Sequence, residues 1–71
     1  MPSDLMTRLR VLRAEKVITQ QKLAYELNMS YRAYNAIENG RSNPSIQTLI
    51  VLADYFGVSV DFLLGRSDRC N

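Results

Sequence analysis

The chain has no histidine and only one cysteine, Cys70. A metal site needs several such ligands, and a cysteine–histidine nucleophile needs both partners, so neither is within reach. A lone cysteine cannot form an internal disulfide, which fits a reducing cytosol, and a cytoplasmic location is expected. The three glycines form no glycine-rich phosphate loop. No run of about 18 apolar residues exists, so no helix is expected to span a membrane. The opening residues, MPSDLMTRLR, carry charge but no apolar stretch, unlike a secretory signal. These absences point away from an enzyme, from a bound cofactor or metal, from a small-molecule substrate and from the membrane.

What is present is enough for one small domain. The 71 residues are 46% apolar, which suits a compact globule near the size where a single core is only marginally sufficient. The net charge of +2 is unevenly placed, with a balance of +3 over residues 1–41 and −1 over residues 42–71. Positive charge gathered on one half is what phosphate binding requires, although an ordinary solvated surface fits the same numbers.

The organising stretch is Thr19 to Gly40, TQQKLAYELNMSYRAYNAIENG. Helical spacing reads it as two short helices separated by Asn28-Met29-Ser30. Thr19 is placed to cap the first, which turns Leu23, Ala24 and Leu27 to one face. Ser30 caps the second, whose inner face holds Tyr34 and Ile37, and Gly40 ends it. Asn28 enters the left-handed region at low cost, so the pair makes a helix-turn-helix unit.

The rest of the chain completes five helices with no period-two strand pattern. Ser3 or Asp4 is expected to cap a first helix running to about Lys16, with Leu5, Leu9 and Leu12 as its core stripe and Arg8 and Arg10 beside it. Val17 and Ile18 are expected to tuck against the second helix as a staple. After the turn-forming run Arg41-Ser42-Asn43-Pro44, Ser45 caps a fourth helix from about Ile46 to Phe56, facing inward with Ile46, Leu49, Ala53 and Phe56. Ser59 caps a fifth, Val60 to Leu64, in which Phe62 is read as core. Residues 66–71 form a polar tail beyond a domain of residues 1–65.

The pieces LRxxR in the first helix, TQQxLA opening the motif, IENG closing it, NPS before the fourth helix and VSVDFLLG at the end stand in order over residues 5–65. Together they resemble the Xre/Cro/C1-type helix-turn-helix domain of phage and bacterial repressors. The resemblance implies an all-α, five-helix, lambda-repressor-like fold whose second motif helix enters the major groove of double-stranded DNA. It carries base reading to Ser30, Tyr31, Arg32, Asn35 and Ala36. Arg32 suits guanine and Asn35 suits adenine, while Tyr31 suits a thymine methyl or a phosphate. Gln20, Asn39, Arg41, Ser42 and Asn43 take the places of phosphate contacts. Arg13 and Glu38 take those of a structural ion pair between the first helix and the recognition helix. Pro44, Val58, Val60 and Leu64 correspond to a dimer interface.

This chain departs from the family pattern at two positions. Asn28 replaces the usual turn glycine. Tyr34 stands where an aliphatic residue is common; its hydroxyl needs a partner if buried, and an outward lean that tilts the reading surface is expected. The function implied is a sequence-specific, homodimeric transcriptional repressor on a palindromic operator. An antitoxin or restriction-modification controller that autoregulates its operon is one alternative. A helical protein-interaction module without DNA binding is another, though acidic residues around positions 31–36 would suit it better than Tyr-Arg-Ala-Tyr-Asn-Ala.

Overall fold

In the computed structural model the backbone is described over residues 2–68 and the side chains over residues 4–68. Cys70 and the end of the polar tail lie outside the described residues. Five helices follow in order: α1 (Pro2–Lys16), α2 (Gln20–Glu26), α3 (Tyr31–Glu38), α4 (Ile46–Phe56) and α5 (Val60–Leu63). Among the described residues there is no strand. α1 packs across α3 and α5, α2 against α3, and α4 against α5.

Four of the helix starts are written directly in the sequence. The side-chain oxygens of Thr19, Ser30, Ser45 and Ser59 each accept from the backbone N–H three residues on, at 3.0 to 3.1 Å. Each such cap satisfies a donor the helix cannot, and is worth about 1 kcal/mol. α1 starts differently from expectation. Because helix already includes Pro2, Asp4 lies within the first turn rather than ahead of it. Its carboxylate still faces the positive end of the helix dipole.

All five helices end the same way, with a left-handed residue after the last turn. At each, the residue beyond it donates back to the carbonyl five positions earlier, as Ile18 does to Arg13 at 3.3 Å and Met29 to Ala24 at 3.0 Å. Three of these left-handed residues are the chain's three glycines; the other two are Val17 (φ 55) and Asn28 (φ 59). Asn28 adopts this conformation readily, whereas valine is β-branched and strained there. Gly40 also meets a steric demand, because a Cβ there would lie 2.6 Å from the Met6 sulfur. The Val17 staple is therefore corrected: its side chain is 90% exposed, and only Ile18 packs on the core. The reversal of direction after α1 turns Val17 outward.

Leu9, Leu23, Tyr34, Leu52 and Leu63 are fully buried and form the centre of the core with Leu12, Ala24, Ile37 and Ala53. Burying each leucine is worth roughly 1.5–3 kcal/mol. Two expectations are corrected here. The inner face of α4 is set by Leu49, Leu52 and Ala53, and Ile46, at the helix start and off the edge of that face, is 75% exposed. In α5, Leu63 rather than Phe62 is the buried residue; four residues make one turn and give no periodicity to read. Phe62 lies half-buried beneath Arg8, whose guanidinium sits 4.2 Å from the ring centre and donates to the Phe62 and Ser67 carbonyls at 2.8 Å.

Replacing Val17 by glycine removes a left-handed β-branched residue and loses no packing. Val17→Gly is expected to raise stability by roughly 0.5–1 kcal/mol, the left-handed penalty less the added backbone entropy of the unfolded chain. Urea unfolding measures it, and an unchanged or lower midpoint contradicts the account.

Candidate nucleic-acid interface

The turn between α2 and α3 determines what the second helix presents. With Ser30 as cap, Tyr31 and Arg32 become its first two residues, and both are exposed, Tyr31 at 47%. Ser30 is exposed too, with its oxygen committed as acceptor to the Ala33 N–H. Among the described residues, none pairs with the Arg32 guanidinium, so its five donors face solvent. Asn35 and Ala36 follow one turn later and are half-buried.

α3 is held from beneath by one carboxylate. Glu38 is completely buried. Its Oε2 accepts from Arg13 Nε at 2.9 Å and from the Tyr34 hydroxyl at 2.9 Å. Its Oε1 accepts from Arg13 Nη2 at 3.1 Å and from the Gln20 side-chain amide. Arg13 and Glu38 thus form a two-pronged ion pair between α1 and α3, and Arg13 Nη1 also donates to the Ile18 carbonyl at 2.8 Å. Burial, the largest single influence on Glu38, favours its neutral form. Hydrogen bonds from Arg13, Gln20 and Tyr34, with the charge of Arg13, outweigh it and hold the carboxyl below the ordinary glutamate range. Burial, then the Glu38 charge, pushes the Tyr34 phenol well above its usual value, so it remains a donor.

Two expectations change in consequence. Tyr34 does not lean outward; its ring is fully buried because its hydroxyl finds the carboxylate one turn on. The Gln20 amide does not face outward toward a phosphate. It is drawn in by Glu38 and accepts, through Oε1, from Asn35 Nδ2 at 2.8 Å. What Gln20 still offers an anion is the free backbone N–H at the start of α2.

Around the far end of α3, Asn39, Arg41, Ser42 and Asn43 are all exposed. Arg41 Nη2 donates to Asn35 Oδ1 at 2.7 Å. Arg10 of α1, which carried no functional reading in the sequence, reaches this rim: its Nη2 donates to Asn39 Oδ1 at 3.1 Å and to the Glu38 carbonyl at 3.4 Å. Only its i, i+3 spacing to Arg13 hinted that the two share a side of α1. The four residues expected at a dimer interface differ in their surroundings. Val58 and Val60 pack on this chain's own core, whereas Pro44 and Leu64 line an open groove of about 250 Å³ together with Leu5, Met6 and Leu49. Among the described residues no group of histidine, cysteine, aspartate or glutamate could hold a metal ion.

A family model described as helix-turn-helix matches residues 9–63. Relatives include YobD of Bacillus subtilis, an uncharacterized HTH-type transcriptional regulator, 34% identical over 61 residues that make 86% of this chain and 54% of that protein. The SPbeta prophage-derived regulator YonR of the same organism is 39% identical, over 80% of this chain and 53% of its own length. The immunity repressor protein of Bacillus phage phi105 is 41% identical, over 83% of this chain and 41% of its own length. This chain spans about half the length of the first two. No solved structure matches.

Removing the buried carboxylate should cost more than any surface change. Glu38→Ala strands the Arg13 guanidinium and the Tyr34 hydroxyl and should destabilise by about 3–5 kcal/mol. The pH dependence has a definite sign. A carboxyl whose value is depressed by folding stabilises fully above the ordinary glutamate value of about 4.3, and that contribution disappears as pH falls through the folded value. The wild-type urea midpoint should therefore drop below about pH 4.3, and the Glu38→Gln midpoint should drop less. Parallel curves for the two proteins would show that Glu38 does not carry the acid sensitivity.

Proposed function

The chain belongs to the helix-turn-helix family, and on that premise we propose that it is a sequence-specific DNA-binding transcriptional regulator, a cytoplasmic repressor without catalytic turnover. The observation that carries the reading is the first turn of α3, where Tyr31 and an unpaired Arg32 face solvent on a helix anchored from beneath by Glu38. Such a helix can enter the major groove without ordering its own position at the moment of binding. Arg32 then donates to guanine O6 and N7. Asn39, Arg41, Ser42 and Asn43 set register on phosphates, joined by Arg10 and the α2 N-terminus. Occupancy of the operator excludes polymerase.

Homodimeric binding belongs to the same proposal. The longest dimension of the domain is 28 Å, so one copy does not reach two half-sites about 34 Å apart. Pro44 and Leu64 border the open groove, and the interface is assigned to them, with Val58 and Val60 supporting it from the core side.

Selection of bound duplexes from a random pool at about 150 mM salt tests the reading, since lower salt inflates non-specific binding. A palindromic consensus is expected; no enrichment by folded protein sinks it. Arg32→Ala should weaken consensus binding by about 1–3 kcal/mol and relax preference at one base pair per half-site. Uniform weakening on all sequences would reduce Arg32 to a phosphate contact.

A further inference from the structure

Four side chains form one hydrogen-bonded row from the core to the reading face. Glu38 accepts from Gln20, Gln20 accepts from Asn35, and Asn35 accepts from Arg41, the last two bonds at 2.8 and 2.7 Å. The two ends of this row differ in kind. An ionised carboxylate can only accept, and a guanidinium can only donate. The two members between them are carboxamides, whose oxygen and nitrogen ends are similar in size and exchange by a half-turn.

Only one arrangement satisfies the row. Gln20 must give its NH2 to Glu38, which leaves its oxygen toward Asn35. Asn35 must then give its NH2 to Gln20, which leaves Oδ1 on the exposed side, where Arg41 donates. Turning Gln20 sets oxygen against the buried carboxylate, and turning Asn35 sets NH2 against a guanidinium. Each half-turn breaks two hydrogen bonds and opposes like groups.

We infer that Glu38, acting through Gln20 as a positioning residue, fixes the direction of the Asn35 amide, so that Asn35 presents its carbonyl oxygen to DNA and selects a base bearing an exocyclic amine. This rests on the proposal that α3 reads DNA. Oδ1 retains a second lone pair beside the Arg41 bond. Among the described residues, the remaining Nδ2 hydrogen is held only by a long contact to the Tyr31 hydroxyl, at 3.5 Å. Adenine fills both, its N6 amine donating to Oδ1 and its N7 accepting from Nδ2. Cytosine fills one through its N4 amine. Guanine and thymine place an acceptor against Oδ1 and are rejected. Because the Glu38 and Gln20 side chains lie beneath the reading surface, this selectivity is set by groups that touch no base.

The test compares base preferences of the full chain and its variants by selection from a random duplex pool. Asn35→Ala identifies the base pair in question as the position whose preference collapses. The wild-type protein is expected to prefer adenine there, then cytosine. Gln20→Met, close in shape but without hydrogen bonds, should cut the adenine-over-guanine preference at that pair at least threefold and leave the pair read by Arg32 unchanged. Asn35→Asp, which keeps the outward acceptor and loses the donor, should shift preference from adenine toward cytosine; if Gln20→Met does not fold, the wild-type preference at that pair still tests the orientation. Wild-type preference for guanine or thymine at that pair overturns the inference and leaves DNA binding intact. So does a Gln20→Met loss spread evenly over all positions. No enrichment by the wild type removes both readings. In the free protein, the side-chain amide resonances of Asn35 should move in Gln20→Met; unmoved resonances overturn the row without reference to DNA.

Discussion

A single carboxylate without access to water holds the first three helices in register. Glu38 belongs to α3, takes two hydrogen bonds from Arg13 of α1 and one from Gln20 of α2, and is closed by Tyr34 one turn back on its own helix. A buried charge is tolerable only when its acceptor sites are filled. Here four donors fill them, and among the described residues no buried side-chain nitrogen or oxygen lacks a partner. The cost of leaving any donor out makes the geometry specific. α3 can sit in few other positions without orphaning one of these groups.

The apolar core does not have that selectivity. Leucines at Leu9, Leu23, Leu52 and Leu63 favour any compact arrangement that removes them from water. They supply most of the driving force, and the polar cluster chooses among the packings they allow. α4 and α5 lie outside the cluster. They are joined to α1 by packing and by Arg8, which stacks on Phe62 and ties down two carbonyls at the C-terminal side of α5. The half of the domain built from α1, α2 and α3 is thus ordered by a charge network, and the other half mainly by shape.

Local signals in the sequence were legible almost to the residue. Thr19, Ser30, Ser45 and Ser59 cap the helices they were expected to cap, and Asn28 takes the left-handed turn. These effects act over three or four residues, so nothing distant can override them cheaply. Side chains whose direction a distant partner decides were not legible in this way. Val17 looked like an apolar staple and is a strained, exposed terminator. Leu63 takes the fully buried place expected for Phe62, which packs half-buried at the edge of the core, because one turn of helix has no face until Arg8 and the core are in position. The Tyr34 hydroxyl had a possible partner at i+4 in Glu38, a spacing visible in the sequence, but which way the ring points depends on what lies beneath it.

By itself the sequence determined the five helices, the capped starts of four of them, the helix-turn-helix at their centre and the family, because caps, terminators and apolar spacing are local. It also determined that Arg32 stands on the first turn of α3, since position after a cap is a matter of counting. Only the tertiary structure decided that Gln20 turns inward, that Arg10 reaches the rim of α3, and that Glu38, Gln20, Asn35 and Arg41 form one row. Gln20 and Asn35 are fifteen positions apart and on different helices. No periodicity links them; a buried acceptor that must be satisfied does.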